Sequence, residues 1–230
     1  MAHAVSGPSR VRQHPVIVPA LAILTAWATL VLAGQRSSMQ MSASAASAWA
    51  SAAAGLPSWL LMTVAMMGPA VLPRFRYVGG AAARPFLALT AFAVAYLTVW
   101  AAFGFLAQAT AAALPGVPGP APLALTLLAA AAWQLTPVRR HLLRQHKNPA
   151  VALPGSALAG GLRYGLCCLG ACWCLMLVML AAPSGQLLWL AGLTILITAE
   201  RLSPASVTPN AAAAALGVAA VATLAVAGLL

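Results

Sequence analysis

Apolar runs separated by short basic, Ser/Ala-rich or Pro/Gly-rich breaks divide the chain into seven segments. They lie at roughly 16–33, 57–73, 86–112, 121–136, 158–182, 187–200 and 211–230. A helix needs about 20 apolar residues to cross a bilayer. The pattern therefore predicts an all-α, polytopic transmembrane helix bundle of about seven spans, with 1–15 as a cytoplasmic tail and 16–230 as one transmembrane domain. The second, fourth and sixth segments are short, which predicts a tight bundle or little tilt. The first has the shape of a secretory signal, a basic start and an apolar run ending in Val31-Leu-Ala33-Gly34. It reads as an uncleaved anchor, because the later segments already commit the chain to the membrane. Cleavage would leave six spans, and no Cys follows for lipoprotein attachment.

Composition agrees with this class. Of 230 residues, 63% are hydrophobic and 6% charged, with a mean hydropathy of +0.94, a balance foreign to soluble domains. The formal charge of +11 would hint at nucleic acid in a soluble protein. Here the charges follow alternate loops. Arg10 and Arg12, then Arg74, Arg76 and Arg84, then Arg139, Arg140, Arg144, Lys147 and Arg163, then Arg201 fall on one side, with Arg36 alone on the other. The positive-inside rule places the larger group in the cytoplasm, the N-terminus in and the C-terminus out, in a bacterial inner membrane. Anionic lipid at the inner leaflet is a sufficient partner, and no nucleic acid is needed. The loop Arg139-Arg-His141-Leu-Leu-Arg-Gln-His146-Lys reads as an amphipathic helix on that surface, with a cytoplasmic metal acceptor as the alternative.

Chemistry concentrates in sulfur. Cys168, Cys172, Met176 and Met179 are spaced +4, +4 and +3, so they stack on one helix face. Met62 and Met66, with Met67 beside them, make a second stripe in the second segment. Thiolates and thioethers select soft ions such as Cu(I). By the expected topology the two segments run in opposite directions. Met66 and Cys172 each fall about 15 Å from a membrane face, which is the midplane. Were the two helices neighbours, the sulfurs would form a ladder across much of the bilayer. At the level of Met-x3-Met alone this resembles the filter of eukaryotic copper channels. Met39 and Met41, in the external loop, are a weaker thioether pair. Packing is the other reading of all these residues, since Met fills gaps and free Cys behaves as a small buried hydrophobe.

The only acid is Glu200. Paired carboxylates for hydrolysis, a carboxylate cluster for hard cations and an acidic proton relay are therefore absent, and there is no phosphate-cradling glycine loop. The protein reads as no enzyme. Glu200 is expected to form an ion pair that locks helix ends beside Arg201 and the basic loops. Ala157, Gly161 and Gly165 offer a smooth face for close packing. Residues 114–122 read as a rigid turn without chemistry.

Four blocks between about 57 and 204 carry a resemblance. They are Trp59-Leu-Leu-Met62-Thr-Val-Ala-Met66-Met67-Gly-Pro69, Tyr96-Leu-Thr-Val-Trp100-Ala-Ala-Phe103-Gly104, Trp133-Gln134-Leu135-Thr136-Pro137 with its basic continuation, and Gly165-Leu-Cys-Cys168-Leu-Gly170-Ala-Cys172-Trp173-Cys-Leu-Met176 followed by Glu200-Arg201. In these the chain resembles a bacterial family of predicted metal-binding integral membrane proteins, a domain of unknown function. The resemblance implies a metal-associated membrane protein. The family's pattern has two cysteines in the basic loop where this chain has Leu142 and His146, and a Cys-Cys pair where this chain has Ala171-Cys172. A further family Met is missing from Pro183-Ser-Gly-Gln186, so a four-thiolate site is not expected here.

Three functions follow. The first is soft-metal handling, with Cu(I) bound, moved or delivered through Met62, Met66, Met67, Cys168, Cys172, Met176 and Met179. The second is a non-catalytic accessory or assembly subunit that docks a membrane or periplasmic partner through Trp59, Trp100, Trp173 and small-residue faces. The third is thiol–disulfide chemistry, which helix geometry disfavours for Cys168 and Cys172. The first is the expectation.

Overall fold

A computed structural model describes residues 17–34, 48–113, 121–147, 156–182, 186–202 and 208–226. Met39, Met41, the Pro-rich turn after residue 113, Pro183 to Gly185 and the side chain of His146 lie outside them. The described residues form eight helices and no strand: α1 (Ile17–Gly34), α2 (Ala48–Ala81), α3 (Pro85–Ala113), α4 (Ala121–Leu135), α5 (Pro137–Lys147), α6 (Ala157–Ala181), α7 (Gln186–Leu202) and α8 (Thr208–Val226). Each of the seven apolar segments is helical, and the basic loop supplies the eighth helix. The bundle is all-α, as its sequence predicts. Three helices, α2, α3 and α6, are long and apolar enough to cross a membrane, and α4 with α5 makes a fourth if the bent pair is one span. The helices α1 and α8 are apolar and shorter. Length therefore distinguishes α2, α3 and α6 within the seven.

Helix α2 outruns the sequence expectation at both ends. The helix α2 runs 34 residues through Pro57, Pro69 and Pro73, taking in residues expected as external loop and as basic loop. A proline removes one backbone N–H from a helix, so Pro69 has none to give the Ala65 carbonyl. The Trp27 indole of α1 supplies one instead, donating to that carbonyl at 3.0 Å. Its added first turns are held by Trp49 stacking on Phe105 of α3, 5.7 Å between centroids. Replacing Trp27 with Phe orphans this carbonyl and is expected to destabilise the protein by about 1–3 kcal/mol. Detergent-phase unfolding monitored by circular dichroism measures it, and an unchanged midpoint would mean the carbonyl needs no donor.

Helices α4 and α5 meet at a bend of 70°. Pro137 cannot continue the α4 ladder, and its fixed φ suits a first helical position. Thr136 starts α5 as its cap: its hydroxyl accepts from Arg139 N at 3.3 Å and its carbonyl accepts from Arg140 N at 3.2 Å. The basic residues Arg140, His141 and Arg144 are exposed on the resulting short helix, while Leu143 is buried.

Packing runs outward from α3 and α6. The helix α3 packs on both α2 and α6; α6 also meets α4 and α5, while α2 meets α1 and α7. Gly161 and Gly165 form the seat of α6 on α3. A Cβ at Gly161 would strike the Phe92 carbonyl, and one at Gly165 would lie 3.1 Å from Val99 Cγ2. Gly161 and Gly165 of the small-residue face are thus packed inside the bundle. On the outside, Leu24, Leu87, Leu125, Leu188, Ile195 and Val218 are all exposed, Leu188 by 80%.

Candidate metal-binding site

Helix α6 is capped by Ser156, whose side chain accepts from Ala159 N, and it is the most buried of the three long helices. From Gly160 to Met179 its inward face buries Tyr164, Cys168, Cys172, Met176 and Met179. Cys168 and Cys172 are free thiols at 0% and 1% exposure, one turn apart. One guanidinium joins them: Arg201 Nη2, from the last turn of α7, donates to Cys168 Sγ at 3.4 Å and to Cys172 Sγ at 3.3 Å. Tyr96 of α3 places its hydroxyl 3.2 Å from Cys168 Sγ. Tyr164, one turn before Cys168, packs against Tyr96, 6.0 Å between ring centroids, and Arg74 of α2 stands over its ring at 5.4 Å.

A second buried ionic group stands beside the pair. Arg139, at the start of α5, is wholly buried and contacts Glu200 Oε2 through Nη2 at 2.6 Å. Its Nε donates to the Ala171 carbonyl at 3.0 Å, and the Trp133 indole donates to the neighbouring Gly170 carbonyl at 3.1 Å. The two α6 carbonyls next to Cys172 are thereby fixed to α4 and α5. Glu200 does form the expected helix-locking ion pair, and its partner is Arg139.

The sulfur stripes are partly assembled. Met66, Met67, Cys168, Cys172, Met176 and Met179 belong to one buried core, with Met62 half-buried against it. The ladder required α2 and α6 to be neighbours, and they are not a main packed pair; α3 packs on both. Cys167 points away from the stripe, toward Gln145 Oε1 of α5 at 3.6 Å, and Cys174 is buried in the same core as the stripe. His141 is exposed beside Gln145. Among the described residues no group of three or more His, Cys, Asp or Glu is placed to hold a metal. The available donors are two thiols and neutral thioethers, a set that suits a soft ion of low coordination number.

A family model described as PpoB2, a copper chaperone, matches residues 56–227. The chain belongs to this copper chaperone family. No curated protein and no solved structure matches it. The copper chaperone match contains every sulfur of both stripes together with Tyr96, Arg139, Glu200 and Arg201. It leaves out Met39 and Met41. The sequence resemblance to a metal-associated family thereby becomes a copper-related family.

Sequence reasoning missed Arg201 and Arg139 as residues of the site. Both look like ordinary inside-loop charges. The available signal was position: Arg201 directly follows the only acid, and Arg139 lies two residues after Pro137. Trp59 and Trp100, read as docking residues, are 4% and 0% exposed. The Trp59 indole donates to the Trp100 carbonyl at 3.0 Å across Gly104, where a Cβ would occupy the ring's place. Trp173 is half-buried, edge-on to Trp133 at 5.5 Å.

Proposed function

We propose that this protein is a membrane-embedded copper carrier that takes up Cu(I) between Cys168 and Cys172 and hands it to an acceptor protein. The observation that carries the reading is the buried thiol pair bridged by a single guanidinium, in a chain of a copper chaperone family. Thiolate donors one helical turn apart can close on one soft ion. Methionine above them on the same face, Met176 and then Met179, continues with weaker thioether donors through which an ion could leave. The role proposed for the two thiols is binding and delivery.

The apolar exterior and three long apolar helices favour a lipid setting, because exposed leucines on every side are stable only against hydrocarbon or a partner. With the basic residues inside, the N-terminus is cytoplasmic and α5 lies along the inner leaflet. Arg140 and Arg144 then face anionic headgroups. A bacterial inner membrane is the setting this implies. The acceptor is a membrane or periplasmic protein. Burial of Trp59 and Trp100 weakens the competing reading of an assembly subunit docking through its tryptophans.

The test is elemental analysis of the reduced, detergent-purified protein after Cu(I) loading, beside C168S/C172S. The wild type is expected to hold stoichiometric copper and the variant none, with helical content equal in both. Equal copper in the two would return the sulfurs to packing. A Met66→Leu variant reports whether α2 contributes a thioether.

A further inference from the structure

The Cys168–Cys172 pair takes its bridging guanidinium from another helix, and that cation sets a charge condition on any ion bound there. Metal binding to two thiols releases two protons to solvent, so that M + 2 RSH gives M(SR)2 + 2 H+. A monovalent ion leaves a complex of charge −1, and a divalent ion leaves a neutral one. Arg201 adds +1 in contact with both sulfurs. The Arg201–dithiolate unit is therefore neutral with Cu(I) or Ag(I) and carries +1 with Zn(II).

Arg201 is the cation hydrogen-bonded to both sulfurs, and the other charged groups stand farther along the helices. Arg139 and Glu200 cancel as an ion pair at 2.6 Å. Tyr96 and Tyr164 present neutral hydroxyls. Arg74 stands over the ring of Tyr164, one turn of α6 before Cys168, at 5.4 Å. A net charge in so buried a place is strongly penalised, and a guanidinium donating to a sulfur anion is a charge-assisted hydrogen bond that strengthens as the sulfur becomes anionic.

We propose that Arg201 is the specificity-determining residue of the site: its guanidinium is the built-in countercation that matches the dithiolate to a soft monovalent ion and disfavours a soft divalent one. This rests on the reading of Cys168 and Cys172 as the copper ligands. It assigns Arg201 no bond to the metal. Its role is to balance charge and to hold the two sulfurs at one nitrogen.

The experiment is a chelator-competition titration of the detergent-solubilised full chain with Cu(I), Ag(I) and Zn(II). It compares wild type, Arg201→Lys, Arg201→Met and C168S/C172S. The wild type should prefer both monovalent ions to Zn(II). Arg201→Met should weaken Cu(I) and Ag(I) by roughly tenfold or more while leaving Zn(II) unchanged or tighter. Arg201→Lys, which keeps the charge and loses the fork, should retain the monovalent preference even if all three ions bind more weakly. An equal loss of all three ions in Arg201→Met would show a purely positioning role and overturn the proposal. So would Cu(I) affinity that does not move. If Arg201→Met fails to fold, Arg201→Lys decides alone, since loss of the monovalent preference there refutes charge matching. Failure of the copper reading itself is distinct: the wild type would then bind no Cu(I), or C168S/C172S would bind it equally.

Discussion

Replacing Arg139 with methionine is expected to destabilise the protein by about 3–5 kcal/mol, the usual cost of leaving one partner of a buried pair alone. Arg139 and Glu200 are 0% and 3% exposed and 2.6 Å apart, so the variant leaves a buried carboxylate without its hydrogen-bonded cation. Its second oxygen, Oε1, already lacks a hydrogen-bond partner, as does Arg139 Nη1. The pair is therefore an expensive one to keep, and what it secures is geometry. Arg139 ties α5 to the Ala171 carbonyl of α6 and to Glu200 of α7, the three helices around Cys172. The double variant R139M/E200M should recover most of the lost stability, because buried ion pairs replaced by apolar side chains of similar size are often neutral. It should not recover copper binding, since Arg201 and Cys172 lose their shared frame. Equilibrium unfolding in mixed micelles checks the first expectation and Cu(I) competition the second. A single variant within about 0.5 kcal/mol of wild type, the scatter of ordinary surface changes, would show that the carboxylate finds solvent.

Gly161→Val should be nearly as damaging, by about 3 kcal/mol, the upper end for overpacking a tight core. The added Cβ would meet the Phe92 carbonyl oxygen, lie 2.9 Å from Phe92 Cα and 3.0 Å from Ala95 Cβ. Backbone cannot rotate aside, so α6 must move off α3. That motion carries Cys168 away from Tyr96, and copper affinity should fall with stability. The neighbouring positions supply controls of different expected sign. Gly165→Ala meets only Val99 side-chain atoms at 3.1 and 3.2 Å and the Tyr96 carbonyl at 3.4 Å, and should cost about 1 kcal/mol or less. Gly192→Ala meets nothing within 4 Å and should stabilise by up to about 1 kcal/mol through helix propensity. If Gly161→Val unfolds at the wild-type midpoint, α3 and α6 are not held at this distance in solution.

Much of the fold is legible in the chain because its signals are local. Seven apolar runs produced seven helices, and the basic amphipathic stretch from Pro137 produced the short α5. Where the reading stopped short, the deciding atom came from elsewhere. Three prolines and a polar, Ala-rich approach look like limits on the second segment. The helix runs through all three, and at Pro69 the stranded carbonyl is served by Trp27 of α1. Trp59, read as part of an outward docking set, became an internal donor to the Trp100 carbonyl, since an indole N–H inside a bundle can satisfy a helix carbonyl.

What the sequence by itself determined is what helix geometry and composition dictate without neighbours. These are the all-α class, the order of the elements, the chemistry excluded by a single acid, and the alignment of Cys168, Cys172, Met176 and Met179 on one face. That alignment follows from 3.6 residues per turn alone. Only the tertiary structure decided that α3 packs on both α2 and α6 and that both sulfur stripes enter one buried core. It alone brought Arg201 to both thiols and Arg139 to Glu200. The physical reason is that these helices are apolar nearly all round, so no hydrophobic face announces its partner. The neighbour is chosen by small residues such as Gly161, by carbonyls left without donors and by a few buried charges, and those preferences exist only between helices already in contact.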